Sequence, residues 1–170
     1  MPPILKIELK NPDVLKLLGR AVQQMDARQG NELMKRISGS LLAAVEDNFE
    51  DQGRPKWEPL SALTIEQRKK DGHWPGKILQ RSGRLKNSIT QHWSPSLAAV
   101  GTNLIYARIQ QSGGVIRAKK AKALRFGGVM AQSVRIPARE FLKLTDQDMV
   151  DLSEDINDWY DEILRQNKLI

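Results

Sequence analysis

The chain has 170 residues, 40% of them hydrophobic and 28% charged, with a formal net charge of +7. That balance supports one compact domain with an ordinary core and excludes wholesale disorder. With no cysteine anywhere, disulfide stapling, thiolate metal sites and cysteine nucleophiles are excluded together.

Aromatic residues make up 5% of the chain, so the core is expected to rest on Leu, Ile, Val and Ala. No apolar run approaches the roughly 20 residues that span a bilayer. The opening Met1-Pro2-Pro3-Ile4-Leu5-Lys6 has no signal-peptide hydrophobic region. A soluble cytoplasmic product with no membrane partner is the expectation. The charge is unevenly spread. Residues 144–164 hold eight acids (Asp146, Asp148, Asp151, Glu154, Asp155, Asp158, Asp161 and Glu162) and no Lys or Arg. A chain polarised in this way can bind nucleic acid through its basic part or stack on copies of itself.

In chain order, Leu5, Ile7 and Leu9 alternate with Lys6, Glu8 and Lys10, which predicts a short half-buried strand. Asn11-Pro12-Asp13 ends it and offers a helix start. Val14, Leu17, Leu18, Ala21, Val22 and Met25 then recur at helical spacing. Gly30-Asn31 predicts a break or cap. Leu33, Ile37, Leu41, Val45 and Phe49, spaced by four, predict a stronger helix whose stripe faces the core. Residues 51–55 end it. A short helix from Thr64 to Lys70, starting near Ser61, is expected next, then a loop at Asp71-Gly72-His73-Trp74-Pro75-Gly76. Ser82-Gly83-Arg84 predicts a turn, with Leu85 to Trp93 leading into a strand. Leu97 to Thr102 predicts a second strand, and Leu104 to Gln111 suits a helix or a strand equally. Gly113-Gly114 opens a second irregular region. Leu124-Arg125-Phe126 and Val134-Arg135-Ile136 are expected to pair as a hairpin with a long loop. Thr145-Asp146-Gln147-Asp148 resembles a capping box, and Leu152, Ile156, Trp159 and Ile163 mark a final helix to about Arg165.

The order of elements is α+β: N-terminal helices and a C-terminal helix packed on a small, mostly antiparallel β-sheet, with long irregular loops. A single domain over residues 1–170 is expected, with the acidic helix of residues 145–170 either integral to it or an appendage.

Four segments carry a family resemblance. They are Arg54-Pro55-Lys56-Trp57-Glu58-Pro59-Leu60-Ser61 with Thr64; Ile78-Leu79-Gln80-Arg81-Ser82-Gly83-Arg84-Leu85-Lys86-Asn87-Ser88-Ile89; Val100-Gly101-Thr102-Asn103 with Tyr106 to Gly114; and Ile136-Pro137-Ala138-Arg139-Glu140-Phe141-Leu142. In this order they resemble the phage virion-morphogenesis family, which includes tail-completion proteins and their Mu-like prophage relatives. Gln110 stands where relatives often have His, and Lys143 where Gly is frequent. The resemblance implies a structural role in tail completion or head–tail joining. Its partners would be other tail or neck proteins, with homo-oligomers in the assembled particle. It also implies a place in the virion, reached from the host bacterial cytoplasm during assembly.

The residues give catalysis little footing. His73 and His92 are the only histidines, with no acidic partner at ligand spacing. No G-x-S-x-G or S-x-x-K pattern occurs, and nothing places Glu66 and Asp71 across a cleft. No enzyme activity, cofactor or metal is expected. The sharpest contact candidate is the basic run Arg117, Lys119, Lys120, Lys122 and Arg125. It suits docking on a neighbouring subunit, or, less favoured, sequence-blind phosphate neutralisation by an accessory DNA-binding protein. Trp57, Gly83, Tyr106, Gly113, Gly114 and Arg139 are expected to be structural. Gly83, Gly101, Gly113 and Gly114 are read as turns or close approaches, and Arg139 as an internal ion-pair or carbonyl-binding residue.

Overall fold

The computed structural model describes residues 5–6, 12–23, 26–118, 123–126 and 128–166. Its spine is the 24-residue helix α2 (Ala27–Glu50), which follows β1 (Leu5–Lys6) and α1 (Pro12–Gln23). Asp26 starts the helix with a reciprocal cap. Its carboxylate accepts from the Gln29 backbone at 2.8 Å, and the Gln29 side chain accepts from the Asp26 backbone at 3.1 Å. The helix therefore begins ahead of Gly30 and runs through it, where a break was expected. Gly30 is there for contact: a Cβ at this position would lie 2.8 Å from the Pro95 carbonyl oxygen.

One side of α2 packs on β2 (Thr90–Ser94) and β3 (Leu97–Thr102), another on α6 (Asp146–Gln166). Leu33, Ile37, Leu41, Val45 and Phe49 are buried along it, as the four-residue spacing predicts. The α6 stripe of Leu152, Ile156 and Trp159 joins the same apolar cluster, together with Val100, Leu85, Phe141 and Val14. Thr145 and Asp148 form the box at the start of α6: the Asp148 N–H donates to Thr145 Oγ1 (3.1 Å) and the Thr145 N–H to Asp148 Oδ2 (2.7 Å).

The fold is α+β, and every strand pair is antiparallel. Among the described residues the strands divide into three small sheets. In the first, β3 lies between β1 and β2, so Gly101 pairs with Thr90 and Lys6 and is a strand residue, not a turn. Of the first predicted strand, Ile7 to Leu9 lie outside the described residues. The hairpin expected between residues 124–126 and 134–136 is replaced by two others. β4 (Gly114–Arg117) pairs with β7 (Ser133–Ile136), and β5 (Leu124–Phe126) with β6 (Val129–Ala131). Loop length accounts for the second pair, which occupies β5 and leaves β7 to pair with β4. Phe126 and Val129 are near enough in sequence to close a tight turn at Gly128 (φ +79°), which costs less chain entropy than the longer closure. Gly114 consequently opens a strand instead of an irregular stretch. The remaining helices are α3 (Ala62–Lys70), capped by Ser61, α4 (Arg84–Asn87) and α5 (Ala107–Ser112).

Candidate functional site

The paired strands β4 and β7 leave the body at Gly113 and return at Pro137, and glycine is what lets the two ends pass. Gly113 has φ +66° and ψ −173°, a conformation essentially reserved for glycine. A Cβ there would meet the Ala138 nitrogen at 2.7 Å. Gly114 (φ +145°) lies against Ile109. Below this crossing the chain is fastened to α5. The Arg139 N–H donates to the Gln110 carbonyl (2.7 Å), while the Gln111 amide accepts from the Leu142 N–H (2.9 Å) and donates to its carbonyl (3.1 Å).

Arg139 is 7% exposed and holds the segment after Trp57. Its Nε and Nη2 donate to the Glu58 carbonyl (3.3 and 3.1 Å), and Nη2 also to that of Pro59 (3.3 Å). Trp57 itself is buried, edge-on to Phe49 with ring centroids 5.9 Å apart. A second guanidinium, Arg68 of α3, is 5% exposed and donates from Nη1 to the Lys77 carbonyl at 2.9 Å. Burial pushes both groups down from the usual arginine range. Arg81 adds to the effect at Arg68; at Arg139 Glu58 opposes it and Arg68 reinforces it. Both stay protonated at neutral pH, because a guanidinium does not lose its proton in proteins. Among the described residues neither forms an ion pair.

These two cations sit on an open cleft of about 710 Å³ between α3 and the β4–β7 pair. Arg81, Arg125 and Arg135 line it too, with Glu58 as the one acid among the described lining residues. Tyr106, Ile116 and Val134 supply apolar wall. Arg81 pairs with Asp71, whereas Arg125 and Arg135 are exposed and make no ion pair among the described residues. The opposite sign is gathered on α6, where Asp151, Glu154, Asp158 and Asp161 are exposed.

Of the two described residues in the basic run singled out in the sequence, Arg125 lines this cleft. Arg117 is exposed on β4, and Lys119, Lys120 and Lys122 lie outside the described residues. Tyr106 is half-exposed at the start of α5, on the cleft wall, and Gly83 (φ +69°) precedes α4. Sequence reasoning missed Arg68, Arg81 and Arg135, because folding gathers them from three separate segments and their spacing carries no signal. His92 contacts Thr90 within β2, and among the described residues no three His, Asp or Glu side chains gather as a metal site requires. No described helix is long and apolar enough to cross a membrane.

The fold and these surfaces define an α+β protein with an arginine-lined cleft and an acidic outer side on α6. Comparison with known proteins places it further: residues 9–161 match the phage virion morphogenesis family. The chain belongs to that family, and its role is a structural one in assembling a phage particle. It is similar to the Mu-like prophage FluMu G protein 2 of Haemophilus influenzae, 35% identical over 162 residues, covering 95% of this chain and all of the relative. It is also similar to the putative capsid assembly protein G of Escherichia phage Mu, 37% identical over 82 residues, or 46% of this chain and 53% of the relative. No solved structure matches the chain.

Proposed function

We propose that the protein is a non-enzymatic subunit acting in tail completion and head–tail joining, through ring-forming or capping contacts with copies of itself and with tail or neck proteins. The observation that carries this reading is the separation of faces: an arginine-lined cleft beside a half-exposed two-stranded extension, and an acidic outer side on α6. A subunit that joins others head to tail requires two different complementary faces. Val115 and Ile116 on β4 and Met130 on β6 are exposed apolar residues that a neighbour would cover. The chain acts as one domain, with α6 as an integral part, because its apolar stripe completes the core of α2. The protein is assembled in the host cytoplasm and remains in the virion.

The test is deletion of the gene in an inducible lysogen, followed by electron microscopy of the lysate. Filled heads and separate tails, rescued by the gene in trans, are expected; complete infectious particles from the deletion strain refute the reading.

A further inference from the structure

We infer that the arginine cleft of one copy receives the outer acidic stripe of α6 from a second copy. This rests on the assembly reading above and names its partner and its contact.

Arg68 and Arg139 are both more than nine-tenths buried, and backbone carbonyls anchor them without neutralising them. No fully buried side-chain polar atom among the described residues lacks a hydrogen-bond partner. The unbonded N–H groups of Arg68 therefore reach solvent, and Arg68 lines the cleft. Arg125 and Arg135 line it from the strands of the extension. Positive charge held this way, partly out of water, is strongly attracted to a carboxylate that enters.

The acidic stripe has the matching form. Asp151, Glu154, Asp158 and Asp161 follow one another at helical spacing over about 15 Å of helix, opposite the buried Leu152, Ile156 and Trp159. The side chains of Glu154, Asp158 and Asp161 make no hydrogen bond or ion pair among the described residues. Val150, exposed beside them, offers an apolar group to Tyr106 and Ile116 on the cleft wall. The molecule does not satisfy the cleft with its own helix. The α6 acids that do pair within the chain, Asp148 and Glu162, go to Arg54 and Arg36. Cleft and stripe are different surfaces, so the contact is heterologous and propagates from copy to copy until it closes.

The experiment uses the full chain and two charge-reversed variants, R125E/R135E in the cleft and E154K/D158K/D161K on the stripe. All five side chains are exposed, so folding is checked by unchanged circular dichroism and thermal melts. Analytical ultracentrifugation at low ionic strength should show self-association of the wild type that weakens as salt is added. Each variant alone should lose about a hundredfold in association, the scale expected when like charges are juxtaposed. Mixing the two should restore it, because each then meets its complement. Wild-type protein that stays monomeric, variants that associate like wild type, or a mixture that fails to recover overturns the inference. So does binding of labelled duplex DNA at physiological salt that R125E/R135E abolishes without any self-association, which assigns the cleft to phosphate. The two readings fail separately. If both variants rescue the deletion strain in full, the contact is wrong and the assembly role stands; if deletion itself has no effect, the role falls.

Discussion

Replacing Arg54 should cost the fold about 3 kcal/mol, although the residue lies on a surface loop. The Arg54 guanidinium donates from Nη1 and Nη2 to the two carboxylate oxygens of Asp148 at 2.9 and 3.0 Å. It also donates from Nη2 to the Ala44 carbonyl at 2.7 Å and from Nε to Asn48 Oδ1 at 3.0 Å. The side chains of Arg54 and Asp148 are 22% and 9% exposed, so solvent screens the pair only modestly. Breaking a buried pair costs about 3–5 kcal/mol, because the partner is left as an uncompensated charge. The lower end applies, since Asp148 still accepts from the Thr145 N–H at 2.7 Å. Arg54→Met keeps the aliphatic stem and removes only the polar contacts. For a chain of this size, a loss of this order lowers Tm by about 6–12 °C. The assay is urea unfolding of wild type, Arg54→Met, Asp148→Ala and the double variant, with Tm by calorimetry. Coupling between the two sites should exceed about 1 kcal/mol. Arg54→Met within about 1 kcal/mol of wild type, or strictly additive variants, refutes the reasoning.

Asn48 is fully buried and donates to the Phe141 and Lys143 carbonyls at 3.0 and 2.7 Å. Asn48→Leu should therefore cost about 2–4 kcal/mol in urea unfolding, by orphaning both carbonyls and the Arg54 Nε. Two glycines of α2 should respond in opposite directions. At Gly39 a Cβ meets nothing within 4 Å, so Gly39→Ala should stabilise by about 0.5–1 kcal/mol. Gly30→Ala should destabilise by about 1–3 kcal/mol, as overpacking does, because its Cβ would press on the Pro95 carbonyl. Thermal melts of the two variants decide both. Gly113→Ala should cost about 2–4 kcal/mol from backbone strain and the clash with Ala138, and amide exchange should quicken first in β4 and β7.

Elements that repeat an apolar spacing were readable before folding. Leu33 to Phe49 and Leu152 to Trp159 each place one stripe on one side of a helix, and both stripes are buried. The Thr145 cap was readable as well, since a capping box is a local motif. Gly30 misled because helix propensity weighs against glycine, whereas the deciding contact comes from Pro95, far along the chain. The strand pairings between residues 114 and 136 were illegible for a related reason. Short alternating segments of similar composition fit several partners; the short closure between Phe126 and Val129 takes β5, and β7 falls to β4. The arginine cleft is the extreme case. Its members are ordinary surface residues in the sequence, and only the fold brings Arg68 beside Arg139.

The extension of β4 and β7 has one further consequence. Each strand pairs only with the other among the described residues, so each leaves one row of backbone donors and acceptors bare. A bare row invites a foreign strand, the first step towards fibrous growth. Here each row is four residues long and bears a cation (Arg117 on one strand, Arg135 on the other), and β7 is followed directly by Pro137, which has no N–H to offer. Those three devices discourage sheet-to-sheet addition, leaving side chains rather than backbone to choose the neighbour.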